Sequence, residues 1–344
     1  MLLEPFSIAP LGSLKSRVAM AAMTRGFAGP EHLANDEIKA YYAKRAEDGV
    51  GLILTEGVIV APEGDGYLNI PRICTDAQAE SWKPVTAAVK QAGTKFFCQI
   101  WHCGRVSHED YTDGLQPVSS SAFQLEGINR QNNKPYAVPR PLETGEMPKV
   151  YAQFAAAAKR AIAAGFDGVQ IHMAHGYLVD NFLDGSINDR KDQYGGSVAN
   201  RCRFAIELLE EVIAAVGADK VMVRLSPIRE TPNHHEWPDW REMMDHLLPA
   251  FAKAGLTMID LSCARADYFK TAGVVIRHIR PKWQGFLMGG ASLNQEQAEG
   301  ELKAGLLDMI TWGRPILANP DFVSLLKAGK TPVPFEPAML GSLK

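Results

Sequence analysis

Positions 172–177 hold three side chains suited to carbonyl chemistry: His172, His175 and Tyr177, in the run Val169-Gln-Ile-His-Met-Ala-His-Gly-Tyr177. Two imidazoles can each donate a hydrogen bond to one oxygen, and a phenol can release a proton. The set is equipment for polarising a carbonyl and protonating its product. Zinc is the competing reading of two nearby histidines, and it lacks a close third ligand. His102 could supply one from another strand, but no HExxH-type helix accompanies it. His234-His235, between Pro232 and Pro238, reads as an exposed loop rather than a ligand pair.

A strand must carry His172. Val169 and Ile171 share one side of it and Gly168, Gln170 and His172 the other, so His172 ends a strand on a face of small and polar residues. Other strand-like runs end in Thr24, Glu56, Gln99, His102, Arg224, Ser226 and Arg314. Gln99 lies on the face of Phe97 and Trp101, and Arg224 on the face of Met222. A single charged strand end is unremarkable; Gln, His and Arg facing one mouth indicate a ligand. Burying an arginine without an acceptor is costly, so Arg224 should answer a carboxylate or a ligand oxygen. The last two strand ends differ in kind. Gly289-Gly290-Ala291-Ser292 precedes one helix, and Gly313-Arg314-Pro315 follows the final strand. Glycines let backbone approach a ligand, helix N-termini attract anions and arginine clamps phosphate. The loops after strands seven and eight are a frequent phosphate site in (β/α)8 barrels.

The chain as a whole alternates short β-rich runs with helical patterns, the mark of parallel strands and crossover helices. The strand candidates are Val18–Ala22, Gly51–Gly57, Lys95–Trp101, Gly168–His172, Val221–Leu225, Met258–Leu261, Phe286–Gly289 and Met309–Trp312. Helical patterns separate them at Asp36–Asp48, Ala77–Ala92, Lys149–Ala164, Ala199–Val216, Trp240–Ala254, Val274–Arg280, Gln295–Ala304 and Asp321–Leu326. Gly93, Gly165, Gly217, Gly255 and Gly305 stand where helices should end. This predicts a single α/β domain over 1–344, a (β/α)8 TIM barrel. A doubly wound sheet would need a reversal of strand order. The stretch 103–148, rich in Pro, Ser, Asn and Gly, breaks the rhythm and follows a strand. It should cover the active-site end as a cap or lid.

Composition narrows the class. The chain has 344 residues, 46% of them hydrophobic, enough for one sizeable core. A net charge of −3 gives no support for a nucleic-acid partner. No apolar run is long enough to span a membrane, and no signal-peptide core is evident near the N-terminus. The five cysteines are scattered without a CxxC pair, which suits free thiols in a reducing cytoplasm. Neither a GxSxG elbow nor a GxGxxG after the first strand is present. No lysine ends a barrel strand, which argues against a cofactor-free lyase or aldolase working through a Schiff base. Glu207, Glu210 and Glu211 read as a solvated helix face, and Met20, Met23 and Met173 as packing residues.

Several segments, in order, resemble the old yellow enzyme family of FMN-dependent NAD(P)H oxidoreductases across nearly the whole chain. They are Arg17-Val-Ala-Met-Ala-Ala-Met-Thr-Arg25, Gln99-Ile-Trp-His-Cys-Gly-Arg-Val-Ser-His108, Gly165-Phe-Asp-Gly-Val-Gln-Ile-His-Met-Ala-His-Gly-Tyr177, Asn188-Asp-Arg-Lys-Asp-Gln-Tyr-Gly-Gly-Ser197 with Asn200-Arg201, Val223-Arg-Leu-Ser-Pro227, and Gly313-Arg-Pro-Ile-Leu-Ala-Asn-Pro-Asp321. The resemblance implies non-covalent FMN at the C-terminal mouth of the barrel and NADH or NADPH as reductant. It places Ala22, Met23, Thr24 and Gly57 around the flavin, with Thr24 at its carbonyl edge. Gln99 would meet the pyrimidine portion, Arg224 the region near N1 and the C2 oxygen, and Gly289, Gly290, Gly313 and Arg314 the phosphate, with His172 also against the cofactor. It makes His172 and His175 the grip on a substrate carbonyl and Tyr177 the proton donor.

The implied activity is reduction of the activated C=C bond of α,β-unsaturated carbonyl compounds, a small-molecule substrate class. Nitroester or nitroaromatic reduction on the same flavin is the alternative. Dienoyl-thioester reduction would ask for an iron–sulfur cluster and further domains, and a turnover-free flavin carrier is disfavoured by the intact His172, His175 and Tyr177. Asp192, Tyr194, Asn200 and Arg201 read as structural. Two departures stand out. His175 occupies a position where some members carry Asn. No tyrosine follows Tyr268, so the C-terminal aromatic wall of the substrate pocket has no match. The wall is then expected from 103–148, from Tyr268-Phe269, or from a neighbouring subunit of a homo-oligomer. Thr24 stands where one subgroup has Cys, so no thiol tunes the flavin.

Overall fold

Side chains alternate along each strand between an inner face and a face covered by helices, and this two-sided pattern is what closes the sheet. In the computed structural model, which describes residues 1–129, 131–230, 233–263 and 266–344, eight parallel strands form a closed barrel. They are β1 (Val18–Met20), β2 (Leu52–Ile59), β3 (Lys95–Trp101), β4 (Gly168–Met173), β5 (Val221–Leu225), β6 (Met258–Leu261), β7 (Phe286–Gly290) and β8 (Met309–Trp312). Order around the barrel follows order in the chain, and β8 pairs with β1. The strand-order reversal of a doubly wound sheet does not occur. The outer helices are α1 (Asp36–Glu47), α2 (Asp76–Gln91), α3 (Met147–Ala163), α4 (Val198–Val216), α5 (Trp240–Lys253), α6 (Ala272–Ile279), α7 (Gln295–Lys303) and α8 (Phe322–Lys327).

The inner face is layered. Ala19, Leu52, Leu54, Phe97, Met222, Met258, Phe286, Met288 and Met309 fill its lower part as one apolar cluster. A hairpin of Phe6–Ile8 and Gly12–Leu14 plugs the floor, with Leu11 and Leu14 in the same cluster. Above that floor the inward positions turn polar: Gln99, Gln170, His172, Arg224 and Asp260. Val169 and Ile171 face the other way, into the larger core shared with the helices.

Two strand boundaries bear on the site. β1 stops at Met20 rather than Ala22, freeing the backbone of residues 21–24 to form a loop at the mouth. β2 runs on to Ile59, with a shift of register between Leu54 and Gly57. A Cβ on Gly57 would come within 2.0 Å of the Trp101 ring, so this glycine is what seats the indole.

The stretch 103–148 packs against the loop after β4. It carries a short parallel pair, Val118–Ser119 with Arg140–Pro141, and a hairpin, Ile128–Asn129 with Lys134–Pro135. Ser119 Oγ lies 3.0 Å from Asn181 Oδ1, Ser120 Oγ donates to Asn181 O at 2.7 Å, and Arg190 Nη1 donates to Ser120 O and Leu142 O. Asp192 in turn pairs with Arg190, and Arg201 donates to Leu183 O, so these motif residues hold the loop after β4.

Two sequence expectations need correction. Glu207 is not merely solvated: Tyr151 and Tyr194 both donate their hydroxyls to Oε2, at 3.0 and 2.8 Å. Both phenols come from elements distant in sequence, which a helix-face reading cannot see. His234 and His235 lie on a hairpin strand, not in an open loop; His234 is exposed, whereas His235 Nε2 sits 2.5 Å from Asp184 Oδ2. Pro232, one flank of that segment, lies outside the described residues. No helix among the described residues is long and apolar enough to cross a membrane.

Candidate active site

The strand-borne part of the site is a chain of buried polar groups. In register, Gln170 stands beside Gln99, His172 beside Arg224, and Arg224 beside Asp260. Gln99 Nε2 donates to Gln170 Oε1 at 2.7 Å, and Gln170 Nε2 donates to Asp260 Oδ2 at 3.0 Å. Asp260 Oδ2 also lies 3.3 Å from Arg224 Nε, so the buried cation does meet a carboxylate. That approach is an ion pair without hydrogen-bond alignment, since Arg224 Nε has no hydrogen-bond partner. Arg224 spends its other nitrogens on Ala22 O at 3.3 Å and Ser262 Oγ at 2.9 Å. Burial pushes the Asp260 carboxyl up, and Arg224 and Gln170 pull it back.

The loop after β4 brings the histidines and the tyrosine together. Ring centroids of His172 and His175 are 5.3 Å apart, and those of His172 and Tyr177 5.0 Å. Trp101 stacks on His172 at 5.8 Å and meets Tyr177 edge-on at 4.7 Å. His172 Nδ1 accepts from Ala174 N at 3.3 Å, which leaves the proton on Nε2 as a donor. Burial, with Arg224 adding to it, holds both imidazoles well below the ordinary histidine range, so they are neutral donors. His175 takes a left-handed backbone, φ 62°, a conformation that few non-glycine residues adopt. Its N–H donates to Ser226 Oγ at 2.8 Å, and Nε2 lies 2.9 Å from Ser262 Oγ. The next N–H, of Gly176, donates to buried Asp180 at 2.6 Å. Asp180 also accepts from Trp237 Nε1 at 3.0 Å and pairs with Arg229 at 3.2 Å.

Tyr177 has a partner that sequence reasoning missed. Its hydroxyl is 2.8 Å from that of Tyr67, whose ring leans on Trp101 at 5.3 Å. Asp65 fixes Tyr67 by accepting its N–H at 3.1 Å, and is itself paired with Arg72 at 2.8 Å. Burial pushes both phenols up, keeping them protonated. Tyr268 does not reach this wall; it is buried, and its hydroxyl donates to Glu301 at 2.6 Å.

The loop after β1, with Met23 and Thr24, is held by Glu56. Its Oε2 accepts from Arg25 N and Gly26 N, both at 2.9 Å. Burial raises the Glu56 carboxyl to about 7. Arg25 Nη2 in turn donates to Ser342 O at 2.6 Å, clipping the C-terminal segment to this loop. At the β7 and β8 ends, Gly290 has φ 144°, which an L side chain rarely adopts. A Cβ there would also meet Ile310 at 2.8 Å, and one on Gly313 would meet Met23 Sδ at 2.9 Å. Gly289 lies in β7, and Arg314 opens the short helix Arg314–Ala318. His102 is buried, with burial lowering it to about 4, and its Nε2 has no partner. No group of three His, Cys, Asp or Glu among the described residues is placed to hold a metal ion.

The sequence matches the model of the NADH:flavin oxidoreductase / NADH oxidase family over residues 1–332. The chain belongs to the old yellow enzyme family. Among relatives of known sequence, 12-oxophytodienoate reductase 1 of Oryza sativa subsp. japonica is 36% identical over 329 residues, covering 93% of this chain and 84% of the relative. The old yellow enzyme homologue from Zymomonas mobilis superposes with a TM-score of 0.91 at 32% identity, covering 100% of this chain and 98% of that one. Morphinone reductase in complex with tetrahydroNAD gives 0.88 at 33% identity, over 98% and 93%. Old yellow enzymes bind FMN and draw electrons from NAD(P)H, and this chain is an oxidoreductase of that kind.

Proposed function

We propose that the chain reduces the activated C=C bond of α,β-unsaturated carbonyl compounds. The observation that carries this reading is the grouping of two neutral imidazoles and a half-buried phenol at one mouth, beside Gln99 and Arg224. The donor set suits FMN. Gln99 and Arg224 would hold its pyrimidine edge and Thr24 its carbonyl side. Gly290, Gly313 and Arg314 would hold its phosphate, with Ala22, Met23 and Gly289 lining the approach. Thr311 Oγ1, in register with Gly290, is buried without a hydrogen-bond partner, an orphan that a ligand oxygen would answer.

Bound FMN would supply hydride-transfer chemistry between NAD(P)H and the alkene. His172 donates from Nε2 to the substrate carbonyl oxygen. His175 reaches the same oxygen by exchanging its Ser262 contact. Both donors are oriented before negative charge develops on that oxygen, which is where such stabilisation acts. Tyr177 releases its proton to the α-carbon, and the Tyr67 hydroxyl holds the phenol in place. Trp101 walls the group from water and fixes the His172 ring.

The test is spectroscopic. Purified protein loaded with FMN should be yellow, bleach with NADH or NADPH, and regain its colour with cyclohexenone. Protein that cannot be loaded with FMN, or whose bleached form ignores the enone, would overturn the reading.

A further inference from the structure

The strand-borne chain ends in a carboxylate that no step above uses. Asp260 is buried beneath the mouth with one oxygen shared between Gln170 and Arg224 and the other without a partner. A carboxylate next to a guanidinium can only accept hydrogen bonds. Gln170 must therefore turn its amide NH2 toward Asp260, where Met222 Sδ takes the second hydrogen at 3.2 Å. That leaves Gln170 Oε1 facing Gln99, and Gln99 must answer with its own NH2. An amide can sit either way round, and here the carboxylate two residues away decides. The consequence is that Gln99 keeps its carbonyl oxygen for a ligand, as an acceptor.

The same carboxylate acts on charge. Arg224 is the cation at this end of the site, and Asp260 lies against it at 3.3 Å with both groups nearly water-free. In such surroundings opposite charges offset each other far more than they do in water. A ligand that becomes more negative on two-electron reduction therefore meets less net positive charge than Arg224 alone would present.

We propose that Asp260 is a positioning residue for the flavin: it orients the Gln99 amide through Gln170 and offsets the Arg224 charge, setting the two-electron potential of bound FMN lower than the arginine alone would. The inference rests on the FMN site proposed above. With FMN, the acceptor oxygen of Gln99 suits the N3–H of the pyrimidine ring, which lies between two carbonyls.

The test is potentiometric, on the FMN-loaded protein. Asp260→Asn should raise the potential of bound FMN, with reduced FMN gaining at least tenfold in affinity relative to oxidised FMN, equivalent to about 30 mV for a two-electron couple. Gln170→Met breaks the amide chain but leaves both charges. It should weaken binding of oxidised FMN about tenfold and move the potential by less than half as much. An unchanged or lowered potential in Asp260→Asn overturns the charge role, and undiminished FMN affinity in Gln170→Met overturns the orienting role. If Asp260→Asn yields no folded protein, the Gln170→Met affinity decides. Wild-type protein that never binds FMN would instead refute the underlying site, so the two failures are distinct.

Discussion

Two halves of the mouth are built on different principles. Gln99, Gln170, Arg224 and Asp260 stand on neighbouring strands, and the barrel register alone sets their spacing. They bond to one another along the chain, with Ala22 O, Met222 Sδ and Ser262 Oγ as outside anchors. His175, Tyr177 and Tyr67 stand on loops and are held by borrowed groups: Ser226, Asp180 and Asp65. The strand half is rigid by construction, which suits a resident cofactor. The loop half is assembled from many single contacts, any of which can change the pocket without disturbing the barrel. Variation among substrates should therefore be found on the loop side.

That contrast can be broken at several points. Tyr177→Phe should leave reduction by NAD(P)H intact and slow alkene reduction by roughly 10²–10⁴-fold, read by stopped-flow of each half-reaction. Equal loss in both half-reactions would place Tyr177 in the cofactor bed instead. Asp180→Ala withdraws the acceptor of the Gly176 N–H and the nearer carboxylate of buried Arg229. It should cost about 3 kcal/mol in denaturant unfolding, because a buried charge loses its closest partner. Asp184, 3.9 Å from Arg229, remains as a longer ion pair and keeps the loss from being larger.

Glu56 tests the loop after β1 by pH. Its folded value, about 7, lies above the 4.5 of the free carboxyl. Between those values the folded chain keeps a proton that the unfolded chain has lost. The resulting contribution is full below 4.5, shrinks as pH rises and is gone above 7. Wild type should thus lose up to about 3 kcal/mol relative to Glu56→Gln across that window, seen as a converging or crossing Tm against pH. Parallel curves would mean that Glu56 is ionised throughout. The smallest effect belongs to Tyr67→Phe, which removes one hydrogen bond to Tyr177. It should slow alkene reduction by about fivefold, near 1 kcal/mol, with the flavin half-reaction untouched.

Much of the strand half was legible in the sequence. Alternation in Val169–His172 and in Met222–Arg224 put Gln170 with His172, and Met222 with Arg224, on one strand face, and of the two answers expected for Arg224, a carboxylate or a ligand oxygen, the chain itself supplies the carboxylate of Asp260. Asp260 itself carried a signal: it is a charge on the inward side of a strand whose other residues are Met258, Ile259 and Leu261. The loop half was legible only as residue types. Tyr67 lies 110 residues before Tyr177, and nothing in spacing or periodicity joins them. The same holds for Glu207 with its two phenols and for His235 with Asp184. Such pairs depend on how loops fold back over the barrel, where no repeat constrains the path. Gly57, expected at the flavin, lies close against Trp101, a contact made next to a register shift in β2 that single-strand alternation does not announce.

That glycine makes the site sensitive to a single carbon atom. Trp101 rests where a methyl on residue 57 would lie, and the indole in turn supports the rings of His172, Tyr177 and Tyr67. A Gly57→Ala replacement would act as a wedge driven under one plate of a stack, tilting every aromatic surface above it while altering no polar atom. Anyone reshaping this pocket has a mechanical lever there, and a forceful one, because the added carbon would press on a rigid, buried ring.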